Sequence, residues 1–230
     1  MTEQTPVHGR RDPALTRLSD PRLLREFAYV GGAWTAGEAG RTIAVTNPAD
    51  GALVGHVPAL TGEEGLAAVS AAETAFADWA GRVPQDRAAV LRRWFEAMVA
   101  SKEDLALLMT LEQGKPLSEA RGEIDYAASF LEFYAEEAKR PNIEGITSHL
   151  PDAEVELWRE PVGVAALVTP WNFPSAMITR KAAAAMAAGC PCVVHPSKET
   201  PFSALALAEL AERAGVPAGV FSVVTGEPAE

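Results

Sequence analysis

The sequence has few cysteines and no long apolar run. Cys190 and Cys192 are the only two thiols among its 230 residues, too few for a disulfide framework. No apolar stretch is long enough to cross a bilayer, and the first segment, MTEQTPVHGRR, lacks the apolar core of a secretory signal. A reducing compartment suits this composition, so we expect a cytoplasmic protein without a membrane partner.

Positive charge is scarce as well. The chain has 20 lysines and arginines against 31 aspartates and glutamates, which gives a formal net charge of −11 at pH 7. Such a surface repels phosphate backbones, so we expect no nucleic-acid partner. Hydrophobic residues make up 48% of the chain and charged residues 22%, so the composition predicts a packed domain and not a disordered one.

The first 140 residues predict a tail, short strands and four helices. Residues 1–20 are polar and aperiodic, so we expect a mobile tail. Residues 21–140 begin with FAYVGGAW, which predicts a strand with a Gly-Gly turn, and continue with two strands, RTIAV and ALVGHV, around an NPADG turn. Apolar residues at helical spacing then predict four helices, the last from about Leu117 to Lys139.

Polar residues indicate where some of these helices begin. Thr61 with Glu64, and Ser101 with Asp104, have the spacing of a capping box, in which a hydroxyl and a carboxylate bind backbone N–H groups of the first turn. Three glutamates predict a solvated helix face and no catalysis by paired carboxylates: Glu112, Glu119 and Glu123.

The last 90 residues change from helical to strand character. Residues 141–160 alternate around a Pro-Asp turn, which predicts a hairpin that leaves the body of the fold. Over residues 161–230, the apolar segments VGVAALV, CVVH and VFSVV alternate with two helices, the second of them capped by Thr200. This alternation predicts an α/β fold with a parallel, doubly wound sheet covered on both faces.

The carboxyl ends of the three predicted parallel strands are rich in polar groups. They are residues 169–172 (TPWN), 195–198 (HPSK) and 225–226 (TG). Ligands of open parallel sheets bind at this edge. No G-x-G-x-x-G follows the first strand, so the usual dinucleotide fingerprint is absent. The residues alone therefore predict a nucleotide or small-molecule site without naming its ligand.

Two motifs carry a family resemblance. EQGKPL at 112–117 and PWNFP at 170–174 resemble the aldehyde dehydrogenase superfamily, and residues 27–230 are similar to its succinate-semialdehyde dehydrogenases. The resemblance implies the N-terminal part of the cofactor-binding domain, with residues 161–230 as the first βαβαβ unit of its sheet. It also implies NAD or NADP as cofactor, an acidic aldehyde as substrate, and a hairpin at 141–160 that bridges subunits. A homo-oligomer is expected of the full-length enzymes and not of this chain alone.

The resemblance gives roles to two side chains near the first strand end. Asn172 matches the amide that holds the substrate carbonyl oxygen as it becomes an oxyanion. Without the resemblance, an asparagine that caps the next helix or closes a turn is the simpler interpretation. Arg180 matches the arginine that binds the distal carboxylate of the substrate with its guanidinium fork. The alternative is a surface ion pair, and for Lys181 we expect only a structural or electrostatic role.

The resemblance also predicts a set of cofactor contacts. They are Thr169, Pro170, Trp171, His195, Ser197, Lys198 and Gly226. Trp171 is expected near the phosphates, although a tryptophan in the core is compatible with the same sequence. His195 and Lys198 depart from the family, which usually has lysine and often glutamate there. A lysine in place of a carboxylate attracts a 2′-phosphate, so we hypothesise that the site tolerates or prefers NADP.

Residues 190–195 allow two interpretations. Cys190, Cys192 and His195 form a C-x-C-x-x-H pattern that could bind a metal, but such cysteines are more often small buried apolar residues, and we expect no metal.

The family's nucleophilic cysteine and general-base glutamate match nothing in the 230 residues, so the catalytic domain is expected to be absent and the isolated chain inactive. A glutarate-semialdehyde dehydrogenase and a non-catalytic cofactor-binding or scaffolding protein are the alternatives.

Overall fold

The predicted alternation of strands and helices is present in the computed structural model, which describes residues 9–38, 40–140 and 143–227. The strands are β1 (Ala28–Val30), β2 (Ala33–Thr35), β3 (Thr42–Thr46), β4 (Leu53–Pro58), β5 (Ile143–Ile146), β6 (Val155–Trp158), β7 (Ala165–Val168), β8 (Cys192–His195) and β9 (Phe221–Val223). The helices are α1 (Gly62–Gly81), α2 (Pro84–Ala100), α3 (Lys102–Gln113), α4 (Leu117–Glu137), α5 (Ala176–Ala188) and α6 (Pro201–Arg213).

The main sheet has five strands in the order β2-β1-β9-β8-β7. Strands β7, β8 and β9 are parallel, as predicted. The β1–β2 hairpin adds an antiparallel edge, with Tyr29 opposite Val223, so the sheet is mixed and not wholly parallel. Gly31 and Gly32 adopt φ of +59° and +89°, which turns the chain tightly enough for β2 to return beside β1.

Helices cover the centre of the sheet on both faces. On one face, Val193 packs in a small apolar cluster with Ala68 and Ala72 of α1, whose capping box of Thr61 and Glu64 is present as predicted. On the other face, Val194 belongs to the main core with α5 and α6, over which α2, α3 and α4 form a further layer. Coverage is incomplete at the β7 edge, where Val168 is 73% exposed, contrary to the expectation of two covered faces.

The expected mobile tail is wrong for residues 9–20. Short 3-10 helices form at Pro13–Arg17 and Pro21–Leu23, and the segment between them is tied to α3. The Asp104 carboxylate accepts hydrogen bonds of 2.8 Å from the backbone N–H groups of Ser19 and Asp20. This contact explains why the predicted capping box of Ser101 and Asp104 is absent, since Ser101 makes no side-chain cap. Residues 1–8 lie outside the described part of the chain.

The predicted hairpin forms its own two-stranded sheet of β5 and β6. All eight strand residues are exposed, including Trp158, whose exposed fraction is 60%. Residues 141 and 142 lie outside the described part of the chain, so the predicted start of the hairpin is not covered. Among the described helices, none combines the length and the apolar character needed to span a membrane.

Candidate functional site

The three predicted polar strand ends lie side by side. The backbone N–H of Thr169 donates to the carbonyl of His195 at 3.1 Å, which joins the ends of β7 and β8. A Cβ on Gly226, just after β9, would lie 3.9 Å from Nε2 of His195 and 3.1 Å from the carbonyl oxygen of Leu60. The carboxyl ends of the parallel strands thus gather at one edge, where Gly226 lets the backbone approach closely.

Two buried glutamates hold the helices that follow these strand ends. The Glu112 carboxylate, at the end of α3, accepts hydrogen bonds of 2.7 Å from the N–H groups of Phe202 and Ser203 in α6. A carboxylate at a helix N-terminus satisfies free N–H groups and opposes the positive end of the helix dipole. The predicted cap by Thr200 is therefore wrong: its buried hydroxyl has no hydrogen-bond partner.

Glu123 of α4 has the same function at α5. Its carboxylate accepts hydrogen bonds from the N–H groups of Ser175 at 3.0 Å and Ala176 at 3.2 Å. The prediction of a solvated face is wrong for Glu112 and Glu123, which are 3% and 4% exposed, and only Glu119 is exposed as expected.

Lys115 connects this glutamate to the loop that carries Asn172. Its ammonium forms an ion pair with Glu123 and donates a hydrogen bond of 3.0 Å to the backbone carbonyl of Asn172. The same ammonium lies 4.6 Å from the ring centroid of Phe173. The EQGKPL motif thus fixes the position of the PWNFP loop, a role that sequence reasoning missed because the two segments lie far apart in the chain.

Asn172 has an exposed side chain that makes no hydrogen bond to any residue in the described ranges. The helix-capping alternative is not observed, because Glu123 supplies the acceptor at the start of α5 and Ser175 occupies the cap position. Its backbone is held while its amide stays available. An amide held in this way can donate to an oxygen that gains negative charge.

Arg180 lies on the exposed side of α5. Its guanidinium contacts Sδ of Met177 at 3.9 Å and lies 5.8 Å from the ring centroid of Phe130 in α4. Among the described residues it has no carboxylate partner, so the surface ion pair considered as the alternative is not formed. Lys181 donates a hydrogen bond of 3.1 Å to the carbonyl of Val168 and so supports the end of β7.

Asn172 and Arg180 both lie along the pair of helices α4 and α5. Glu123 contacts the first residues of α5, and Phe130, about two turns further along α4, contacts Arg180. Arg180 is four residues past Ala176, about 6 Å along the helix axis. The structure therefore places the two predicted substrate contacts on one side of the sheet.

Two of the predicted cofactor contacts, Trp171 and Lys198, line an open cleft of about 600 Å³. The cleft is lined by Ile43, Ala44, Val45, Thr46, Pro48, Glu112, Gln113, Trp171, Lys198, Glu199 and Thr200. Trp171 is 55% exposed, so it is not a core residue. Pro170 is exposed at the same edge, and Ser197 donates a hydrogen bond of 2.7 Å to the Glu199 carboxylate.

Burial and charge set the protonation of this edge. Burial raises the pKa of Glu112 to about 8. Burial lowers the pKa of His195, so its imidazole is neutral at pH 7. Glu227, whose Oε2 lies 2.9 Å from Nζ of Lys198, raises the pKa of that lysine. The buried hydroxyl of Thr169, two residues before Trp171, has no hydrogen-bond partner among the described residues.

No cluster of three or more potential metal ligands occurs within the described ranges. Cys190 and Cys192 are buried free thiols, and burial raises the pKa of Cys192. A buried thiol with a raised pKa is a poor nucleophile and a poor metal ligand, so Cys192 behaves as a small apolar residue.

The sequence model of the aldehyde dehydrogenase family matches residues 34–230. The chain belongs to this family. A solved member, the succinate-semialdehyde dehydrogenase of Burkholderia pseudomallei, superposes with a TM-score of 0.90 at 52% identity, over 92% of this chain and 44% of that structure. The family fold predicted from the two motifs is therefore confirmed.

Three curated relatives of this chain are named as semialdehyde dehydrogenases. It is 59% identical to the non-phosphorylating aspartate-semialdehyde dehydrogenase of Halomonas elongata, over 93% of the chain and 43% of that protein. It is 55% identical to the glutarate-semialdehyde dehydrogenase of Pseudomonas aeruginosa, over 93% and 44%. It is 54% identical to the succinate-semialdehyde dehydrogenase GabD of Escherichia coli, whose name specifies NADP(+), over 91% and 44%. The chain spans less than half the length of each.

Proposed function

We propose that this chain forms the cofactor-binding and aldehyde-orienting part of an NAD(P)-dependent dehydrogenase that oxidises succinate semialdehyde to succinate. The observation that carries the proposal is the pair of Asn172 and Arg180, an amide on a fixed backbone and a guanidinium without a carboxylate partner, along α4 and α5. The names of the relatives support the class, because all three specify a semialdehyde that also carries an acid group.

The two side chains act on opposite ends of the substrate. When a nucleophile adds to the aldehyde carbon, charge develops on the carbonyl oxygen, and the Asn172 amide donates a hydrogen bond to it. Lys115 keeps the amide in place through the Asn172 carbonyl. Arg180 binds the distal carboxylate and orients the carbon chain.

NAD or NADP fits the edge formed by Thr169, Trp171, His195 and Gly226, with the nicotinamide accepting the hydride when it is bound. Lys198, in place of a family carboxylate, supports binding of the 2′-phosphate of NADP. Residues 1–230 contain no match to the nucleophilic cysteine and general-base glutamate of the family. We therefore propose that these residues alone bind cofactor without turning over substrate.

Glutarate semialdehyde is the second candidate substrate. Arg180 recognises a carboxylate but does not by itself select the length of the carbon chain between the carboxylate and the aldehyde. One relative is named for glutarate semialdehyde. The exposed β5–β6 hairpin, with Trp158 and Leu157 in solvent, supports the proposal that it pairs with another subunit in a homo-oligomer. The cytoplasmic location remains a prediction from composition.

Titration calorimetry and a chimera test the proposal. We expect the purified chain to bind NAD+ or NADP+ and to produce no NAD(P)H from succinate semialdehyde. We expect a chimera, in which the chain replaces the matching half of the Escherichia coli relative, to oxidise that substrate. Turnover by the chain alone would contradict the proposal, and cofactor binding with an inactive chimera would favour the non-catalytic alternative.

Arg180→Met in the chimera tests the substrate assignment. We expect KM for succinate semialdehyde to rise at least tenfold, while KM for butanal, which has no carboxylate, stays the same. Arg121→Met is the matched control, because Arg121 forms an exposed ion pair of 2.7 Å with Glu103. An equal rise in KM for both aldehydes would contradict the role of Arg180. The ratio of rates with succinate and glutarate semialdehydes then decides between the two candidates.

A further inference from the structure

The guanidinium of Arg180 is held by two uncharged groups. Its Cζ lies 5.8 Å from the ring centroid of Phe130 in α4, and its Nη1 donates to Sδ of Met177, three residues earlier on α5, at 3.9 Å. The Phe130 ring is itself supported by Tyr126, whose ring meets it edge-on with the centroids 4.7 Å apart. Phe130 and Met177 are half-buried and Arg180 is exposed, so the protein supports a guanidinium that solvent can reach.

Arg180 differs from the other arginines that lie over an aromatic ring. The described residues contain four such arginines, and three of them also form an ion pair with a carboxylate. The ring contact of Arg180 is not part of an internal ion pair among the same residues. The three others are Arg25 with Trp34 and Glu209, Arg82 with Trp79 and Asp78, and Arg92 with Phe95 and Glu132.

The geometry of a guanidinium explains why a ring suits an arginine that binds a ligand. An aromatic ring attracts the cation through its π-electrons, whereas a carboxylate binds the N–H donors in the plane of the guanidinium. A carboxylate neighbour therefore occupies the donors that a ligand needs, and a ring does not. We propose that Phe130 is a positioning residue for substrate specificity, because its ring holds the Arg180 guanidinium with its N–H groups free for the acid group of the aldehyde. The inference rests on the proposed function, since it requires Arg180 to contact the substrate.

The expected effect of the ring is small and selective. An arginine side chain has many rotamers, and a ring that restricts them beforehand lowers the entropy that is lost when a ligand binds. A cation–π contact near the surface corresponds to about two- to fivefold in a dissociation constant. We therefore expect loss of the Phe130 ring to weaken carboxylate binding by this factor and to leave aldehydes without a carboxylate unaffected.

NMR spectroscopy of the purified chain tests the inference without relying on turnover. The Nε–H resonance of Arg180 is assigned by its loss in Arg180→Met. Because an aromatic ring shifts the resonances of nearby protons, we expect Phe130→Leu to move this resonance and Phe130→Tyr, which keeps the ring, to leave it nearly in place. Titration with succinate should shift the resonance in the unchanged chain. The dissociation constant for succinate should rise about two- to fivefold in Phe130→Leu and return to its original value in Phe130→Tyr.

Kinetics of the chimera with the Escherichia coli relative give a second readout. We expect Phe130→Leu to raise KM for succinate semialdehyde by the same factor and to leave kcat and the KM for butanal unchanged. In the Arg180→Met background, Phe130→Leu should have no further effect on KM, because the ring acts only through the guanidinium. A rise in KM for both aldehydes in both backgrounds would assign a merely structural role to Phe130 and overturn the inference.

Phe133→Leu is the matched control, because this ring is exposed on the same helix and packs against Tyr134. An unmoved Arg180 resonance in Phe130→Leu, or equal losses of succinate affinity in the Phe130 and Phe133 variants, would overturn the inference and leave the proposed function intact. If succinate leaves the Arg180 resonance of the unchanged chain in place, the proposed function and the inference fail together.

Discussion

The connection from β7 to α5 and the connection from β8 to α6 are anchored by the same device in two different electrostatic states. Each helix begins against a buried glutamate that accepts two backbone N–H groups. Glu123 is ion-paired with Lys115, whereas Glu112 has no cationic partner among the described residues. The first loop is therefore held by a charge pair, and the second by a lone carboxyl group whose pKa burial raises to about 8.

Two loops with the same hydrogen-bond geometry at the helix start can therefore differ in the charge that stabilises them. The loop that carries Asn172 needs a fixed backbone, and the Lys115 ammonium supplies a second anchor at its carbonyl. The loop that carries Lys198 is held by Glu112 at α6 and by an exposed ion pair between Lys198 and Glu227.

Lys115→Met has the largest expected effect. It leaves the buried Glu123 carboxylate without its counter-charge. Breaking a buried ion pair from one side costs about 3–5 kcal/mol, so we expect the free energy of unfolding to fall by this order of magnitude. Urea unfolding followed by circular dichroism measures the change. The double variant with Glu123→Gln should recover part of the loss, because it removes the unpaired charge.

Lys102→Met is the matched control for this prediction. Its ammonium pairs with Asp125 at 2.6 Å, but the two side chains are 31% and 59% exposed, and ion pairs near the surface contribute about 0–1 kcal/mol. Equal losses in the Lys102 and Lys115 variants would show that burial of the Lys115–Glu123 pair has no special weight.

Glu112→Gln is expected to change how stability depends on pH. The folded state holds a proton on Glu112 up to about pH 8, whereas the unfolded chain releases it near pH 4.5. Between these values the folded state binds more protons, so stability is greatest at about pH 5 and falls as pH rises to 8. From these two pKa values the decline is about 3–4 kcal/mol, and we expect it to be lost in Glu112→Gln.

Thermal unfolding at several pH values between 5 and 8 measures the slope. Glutamine keeps one acceptor for the N–H groups of Phe202 and Ser203, so the variant should stay folded. The comparison is Glu119→Gln, which removes a carboxylate from the exposed side of α4. A slope that survives in Glu112→Gln would assign it to other groups.

Patterns of neighbouring residues predicted the helices and strands. The wrong predictions concern side chains whose partners are far away in the sequence. The capping box of Thr61 and Glu64 and the turn at Gly31 and Gly32, with φ of +59° and +89°, each depend on neighbours in sequence. Glu112 accepts from an N–H group 90 residues away, and no local pattern distinguishes such a glutamate from a solvated one. The same holds for Asp104, which anchors a segment 84 residues earlier.

The candidate site shows the same division. Asn172 and Arg180 were predicted because they stand next to family motifs, and the structure explains how their surroundings leave them available. The ion pair of Lys198 and Glu227 joins the loops after β8 and β9, which lie 29 residues apart in the chain, and it was not predicted.

Gly114→Ala tests the turn between Glu112, which contacts the start of α6, and Lys115, which contacts the loop of Asn172. Gly114 has φ of +86° and lies between Glu112 and Lys115. An added Cβ would lie 2.7 Å from Cγ of Pro48. We expect a loss of about 1–2 kcal/mol in urea unfolding, from the left-handed backbone and the close contact. Gly122→Ala in α4, where a Cβ meets nothing within 4 Å, should stabilise by about 0.5–1 kcal/mol. A neutral Gly114→Ala would mean that the turn adapts.

Thr200→Val has the smallest expected effect and isolates the role of Glu112 at α6. The Thr200 hydroxyl is buried without a partner because the Glu112 carboxylate takes the N–H groups that a capping hydroxyl would bind. Replacing an unsatisfied hydroxyl with a methyl group of the same shape should change stability by about 0 to +1 kcal/mol. Thr61→Val, which removes a hydroxyl that does cap a helix, should cost about 1 kcal/mol. If both variants lose stability equally in urea unfolding, the Thr200 hydroxyl has a partner in solution and Glu112 does not cap α6 alone.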